Sequence, residues 1–184
     1  MPGMKKLAGN LFLVGLMGAG KTTIGRILAR NHSKTFYDSD QEIEARTGVR
    51  VATIFDIEGE QRFRERERHV LADLISAQDI VLATGGGAVL SESSRRLLRE
   101  NGTVIYLHAK VDRLLTRLRH DRSRPLLQTA DPFQKLSDLF EIRDPLYRQI
   151  AHLIIDTTQE STHVLAHRLE ERLHALQTPS RDYA

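Results

Sequence analysis

Short apolar runs bounded by turn-forming residues recur at Asn10–Val14, Thr35–Tyr37, Ile80–Ala83, Val104–Leu107 and Leu153–Ile155. Runs this short, with little polar alternation, predict strands buried on both faces. The segments between them carry apolar residues at helical spacing, as in Phe63, Val70, Leu71, Leu74 and Ile75, or Leu165, Leu169, Leu173 and Leu176. Strand and helix therefore alternate. Parallel strands need long crossovers, so this alternation predicts a parallel sheet covered by helices. Ser39 followed by Glu42 has the spacing of a capping box, and Thr47-Gly48 marks a helix end. Ligands of open parallel sheets bind at the carboxyl ends of the strands, so the chemistry is expected at the strand-to-helix junctions.

Composition narrows the setting. The chain has 184 residues, of which 40% are hydrophobic and 28% charged, which suits one globular domain and neither a membrane span nor a disordered chain. Lys5 and Lys6 ahead of Leu11–Val14 imitate a secretory signal, but Asn10 interrupts the apolar run and Lys21 follows without a cleavage site between. With no cysteine, disulfides, thiolate metal sites and thiol nucleophiles are excluded. The formal charge is +3, and of the 27 basic residues six are lysines and 21 arginines. Guanidinium groups pair with carboxylate and phosphate oxygens, so their location matters more than their number.

The first junction, Gly15-Leu16-Met17-Gly18-Ala19-Gly20-Lys21-Thr22, matches G-x-x-x-x-G-K-[ST] after a predicted strand and before a helix predicted over Thr23–Arg30. Glycines let main-chain N–H groups turn toward phosphate oxygens, the helix N-terminus adds its positive end, Lys21 reaches the β- and γ-phosphates, and Thr22 offers a hydroxyl to magnesium. The motif points to a nucleoside triphosphate with Mg2+, and by itself leaves kinase, switch and motor open.

The second junction carries Asp38-Ser39-Asp40, whose carboxylates can divide at a turn, one toward metal waters and one toward a substrate hydroxyl. The third carries Thr84-Gly85-Gly86-Gly87, where a backbone without side chains can approach a ligand and offer N–H donors. The nearest aspartate to that strand, Asp79, lies at its beginning, so metal support is expected from Thr22 and the Asp38/Asp40 pair. Between these junctions, Gly59 to Arg68 is an alternating charge run of the kind found on a solvated helix face. Arg64 and Glu67 stand apart in it: three residues apart, they can hold one guanidinium in a fixed pose.

Taken in order, Gly15–Gly25, Phe36–Asp40, Gly59–Glu67, Ala83–Gly87, Arg124–Leu127 and Arg143–Tyr147 resemble the shikimate kinase family, over a span from Asn10 to about Leu176. The resemblance implies an α/β, P-loop nucleoside-monophosphate-kinase-like three-layer fold: a five-stranded parallel sheet in order 2-3-1-4-5, helices on both faces, and a mobile lid over about 112–132. One domain would cover 1–176, with a loose tail at 177–184. The implied reaction moves the γ-phosphoryl group of ATP, with Mg2+, to the 3-hydroxyl of shikimate.

Carried over by position, Gly18, Ala19, Gly20, Lys21, Thr22 and Thr23 would hold the phosphates, Arg117 would pack on adenine, and Thr22 and Asp38 would serve the metal. Asp40, Arg64 and Arg143, with Gly85, Gly86 and Gly87, would hold shikimate. Lys21, Asp40 and the lid residue Arg124 would be catalytic. The adenine loop falls near Thr157 to Glu160, where Glu160 replaces a basic residue seen in some relatives. The expected protein is a cytoplasmic monomer acting on ATP and shikimate, without nucleic-acid or membrane partners. A P-loop kinase for another small acceptor, such as gluconate or a nucleoside monophosphate, is the nearer rival, and a nucleotide-dependent binding protein the farther one. Five arginines and two aspartates from Asp112 to Arg124 give that segment a charge of +3, equal to that of the whole chain. The arginine excess is thus expected to face the triphosphate. His163 and His167 lie i,i+4 without a third ligand, so no metal is expected there.

Overall fold

A computed structural model describes residues 6–119, 127–158 and 160–178. Five strands form one parallel sheet in the order β2-β3-β1-β4-β5: β1 (Leu11–Val14), β2 (Thr35–Asp38), β3 (Ile80–Ala83), β4 (Thr103–His108) and β5 (Leu153–Asp156). Both the strand count and the order agree with the expectation from sequence. Every residue of β1 and β3 is buried, as two-sided burial of a central parallel strand requires.

Seven α-helices are described: α1 (Lys21–Asn31), α2 (Ser39–Thr47), α3 (Val51–Ile75), α4 (Glu92–Asn101), α5 (Val111–Leu118), α6 (Pro132–Ile150) and α7 (Thr162–Gln177). α1 packs with α7, while α4 packs with α3 and α6, so two helix groups flank the sheet. α1 lies close to it because Gly25 has no side chain: a Cβ there would sit 2.6 Å from the Phe36 ring and 3.0 Å from Leu13. Among the described residues no helix is long and apolar enough to cross a membrane.

Two local expectations change. The cap of α2 is Asp38 rather than Ser39: its carboxylate accepts from the Asp40 N–H at 3.1 Å and the Gln41 N–H at 3.3 Å. Ser39 is already helical, and its hydroxyl accepts instead from the Gly85 N–H at 2.8 Å. The expected helix end holds, with Gly48 left-handed at φ 69°. At the other terminus, Gln177 closes α7 and bonds both ways to the Ala8 backbone, at 2.8 and 2.9 Å, so it belongs to the domain. Residues 179–184 of the expected tail lie outside the described residues.

The N-terminal segment is pinned to a buried histidine. The Leu7 N–H donates to His32 Nδ1 at 3.3 Å, which leaves the ring proton on Nε2, 3.3 Å from Glu170. Burial holds the His32 pKa below its ordinary value of 6.5 against the pull of Glu170, with His174 and Lys34 acting in the same direction as burial. Between the folded and unfolded values the unfolded chain binds more protons, so this residue withdraws stability as pH falls below about 6.5. The melting temperature is expected to drop between about pH 7.5 and 5.5, and to drop less in His32→Asn, whose amide oxygen can still accept from Leu7. Equal slopes in scanning calorimetry would place the titration elsewhere.

Candidate active site

Strand register brings the three junctions together. Asp38 pairs with Ala83, and Ala83 with Leu13, so the chain leaves β2, β3 and β1 at neighbouring points on one sheet edge. Above that edge lies a cavity of about 270 Å³.

The donor side of the cavity is the loop after β1. Gly18 and Gly20 take φ of 80° and 96°, a region that favours glycine, and α1 starts without a side-chain cap, so the first N–H groups of the helix stay available to an anion. Lys21 Nζ donates to the carbonyls of Gly15 at 2.7 Å and Leu16 at 3.0 Å. The Thr22 hydroxyl donates to Asp38 Oδ2 at 2.7 Å, which ties the first junction to the second. Of the expected phosphate-loop residues, Gly18, Gly20, Lys21, Thr22 and Thr23 line the cavity, while Ala19 is buried beneath it.

The acceptor side is built from α2, α3, the β3 loop and α6. Asp38 and Asp40 part at the turn: Asp38 faces Thr22, and Asp40 faces the glycine loop. A Cβ on Gly85 would lie 2.7 Å from Asp40 Oδ1 and 2.6 Å from Glu67 Oε1, so the missing side chain is what lets both carboxylates close on that loop. Arg64 Nη1 donates to Glu67 Oε2 at 2.7 Å and Nη2 to Glu60 at 3.2 Å. The same guanidinium lies over the rings of Phe63 and Phe55, at 5.2 and 5.7 Å. Arg143 on α6 reaches the cavity from beside Gly86 and is 4% exposed.

Glu67 is 2% exposed, and its Oε1 has no hydrogen-bond partner among the described residues. Burial pushes its carboxyl above the usual range; Arg64 and Arg143 pull it back, and Asp40 adds to the push.

Arg117 is exposed, and its Nη1 donates to the Gly18 carbonyl at 3.2 Å and the Thr157 hydroxyl at 3.1 Å, while Nη2 donates to the Thr157 carbonyl. It therefore joins the phosphate loop to the turn after β5. Glu160, where the resemblance put a variable adenine contact, pairs with Arg168 at 3.2 Å. Arg124 and positions 120–126 of the expected lid lie outside the described residues.

Besides Glu67, sequence reasoning gave no site role to five cavity residues, Met17, Val51, Phe55, Phe63 and Thr84. It also left Glu67 as only a partner for Arg64, although a signal for its burial was present. Phe63, Glu67, Val70, Leu71 and Leu74 form one buried helical stripe, and a lone glutamate in such a stripe marks a carboxylate turned inward.

A glycine loop feeding a helix at the edge of a parallel sheet, with a carboxylate- and guanidinium-lined acceptor cavity beside it, defines a P-loop phosphotransferase of small polar molecules. The particular family follows from comparison with known proteins: the shikimate kinase family model matches residues 17–174, and the chain belongs to that family. The shikimate kinase of Chromobacterium violaceum is 68% identical over 173 residues, covering 94% of both chains. That of Nitrosospira multiformis is 55% identical over 171 residues, covering 93% of this chain and 88% of its relative. Among solved structures, the shikimate kinase from Acinetobacter baumannii in complex with shikimate superposes with a TM-score of 0.90 at 46% identity, covering 94% of this chain and 96% of that one. A gluconokinase from Sinorhizobium meliloti shares the fold alone, with a TM-score of 0.57 at 18% identity.

Proposed function

We propose that this protein transfers the γ-phosphoryl group of ATP to the 3-hydroxyl of shikimate, giving shikimate 3-phosphate and ADP, a step of chorismate and aromatic amino acid biosynthesis. The observation that carries the reading is one cavity bordered by Lys21 and Thr22 on one side and by Asp40, Arg64 and Arg143 on the other, in a chain of the shikimate kinase family.

The mechanism is positioning with charge stabilisation. Backbone N–H groups of Gly18 to Thr23 hold the phosphates, and Lys21 swings from the carbonyls of its own loop to the transferring group. Arg64 and Arg143 grip the substrate carboxylate, with Glu67 fixing the first of them. Asp40 accepts a hydrogen bond from the 3-hydroxyl. In a loose transition state that proton leaves late, so Asp40 acts first by orientation and then as proton acceptor. Thr22 and Asp38, a hydroxyl and a carboxylate 2.7 Å apart, are hard oxygen donors that fit Mg2+. Held there, Mg2+ would supply positive charge against the phosphates. Arg117 takes the adenine end, and Arg124, as the resemblance implies, adds a guanidinium to the charge partners of the phosphates. The reading carries with it a cytoplasmic monomer that meets small molecules rather than nucleic acid or membrane.

ADP release, followed with purified protein, ATP and Mg2+, is expected with shikimate and not with gluconate or AMP. ADP formation that depends on gluconate or AMP instead of shikimate would overturn the reading.

A further inference from the structure

Beyond the residues that face the substrates, α6 carries a tyrosine one turn after Arg143. Tyr147 is 0% exposed, and its hydroxyl donates to the Gly86 carbonyl. A Cβ on Gly86 would lie 3.5 Å from Arg143 Nη1, 3.6 Å from the Tyr147 hydroxyl and 3.5 Å from the Gly15 carbonyl. The phenol, the guanidinium and the phosphate loop thus converge on one glycine.

That glycine is hard to hold by other means. Gly85 and Gly87 anchor their carbonyls in turn hydrogen bonds from the N–H groups of Ala88 at 3.1 Å and Leu90 at 3.0 Å. The Gly86 carbonyl instead depends on the tyrosine. The peptide between Gly86 and Gly87 joins two residues without side chains, and glycines populate both signs of φ, so sterics alone do not stop it turning over. In a trans peptide the C=O and the following N–H point in opposite directions, and the chain has no cis bond among the described residues. Holding the Gly86 carbonyl against Tyr147 therefore aims the Gly87 N–H the other way.

We propose that Tyr147 is a positioning residue for the acceptor site, whose hydroxyl pins the Gly86–Gly87 peptide in the orientation that presents its N–H to the substrate and keeps that peptide in register with Arg143. The phenol donates its one O–H to the carbonyl, so its oxygen is left as an acceptor facing the Arg143 guanidinium. The two groups act on each other: burial raises the pKa of the phenol, and Arg143 opposes that rise.

Tyr106 supplies the contrast. Its ring lies 4.9 Å from that of Tyr147 and is equally buried, but its hydroxyl donates to Asp144 at 2.7 Å, on the face of α6 that pairs with Arg148. Both hydroxyls donate within the fold, and only one of them holds a peptide of the cavity wall.

The role in binding rests on shikimate as the acceptor, so the test has an arm that does not. In Tyr147→Phe, amide hydrogen exchange at Gly86 to Val89 is expected to quicken, with no such change in Tyr106→Phe. Unchanged exchange in Tyr147→Phe would overturn the pin whatever the substrate is. In steady-state assays Tyr147→Phe is expected to raise the KM for shikimate about tenfold, the loss of one buried hydrogen bond, with the KM for ATP within about twofold of the parent. Tyr106→Phe is expected to lower the melting temperature and leave both KM values in place. Equal KM effects in the two variants, or an equal rise in both KM values of Tyr147→Phe, would reduce Tyr147 to a packing residue.

Discussion

Replacing Lys21 by methionine is expected to lower kcat by about 10²- to 10³-fold, the scale set by removing one preorganised charge partner from a developing anion. Methionine keeps the length of the stem and the helical propensity of the first position of α1, so the backbone loop is expected to persist. The change removes one positive charge and, with it, the hydrogen bonds to the Gly15 and Leu16 carbonyls. Because the ammonium interacts most strongly where charge shifts during transfer, the loss falls on turnover more than on the KM for shikimate. Pre-steady-state ADP formation checks this directly. A kcat within tenfold of the parent would show that the lysine serves the loop and not the phosphoryl group.

The second large effect is expected from Gly85→Ala, which adds one methyl group and no charge. Its Cβ would lie within 2.7 Å of carboxylate oxygens from both Asp40 and Glu67, so neither can stay in place. Glu67 is tied to Arg64, and its retreat drags the guanidinium proposed to grip the substrate acid. Displacing orienting groups by about an ångström costs on the order of a hundredfold in rate, and kcat/KM for shikimate is expected to fall by about that much. Lys21 and Thr22 lie on the other side of the cavity, so the KM for ATP is expected to hold. The split between the two substrates is the readout, and a proportional loss in both would point to general unfolding of the sheet edge.

The strands were legible because buried parallel strands leave compact apolar runs; the bounds of β1 and β3 come within a residue of the expected ones. The P-loop was legible because its chemistry is local: Gly18, Gly20, Lys21 and Thr22 act within one turn of chain. Strand order was not written in any run, and entered through family resemblance. The α2 cap shows why a local pattern can mislead. Ser39 and Glu42 have capping spacing, but the last extended residue is Asp38, and only the path of the chain decides which side chain meets the free N–H groups. Tyr147 was hidden for a related reason. Its partner, Gly86, is 61 residues away, and a buried aromatic at helical spacing reads as core.

One further feature divides labour within α3. Its 25 residues break at Gly59, where φ is 79° and ψ 168°, and the Glu58 carboxylate holds Arg66 across the break with bonds of 2.8 and 2.9 Å. Val51 and Phe55 stand before the break, Arg64 and Glu67 after it. The apolar residues and the charged residues of the cavity wall therefore sit on two helical segments joined at Gly59, which touch again where the Phe55 ring meets Phe63 at 4.5 Å. A change at Phe55 is therefore felt on both sides of the break, because its ring also lies under the Arg64 guanidinium at 5.7 Å.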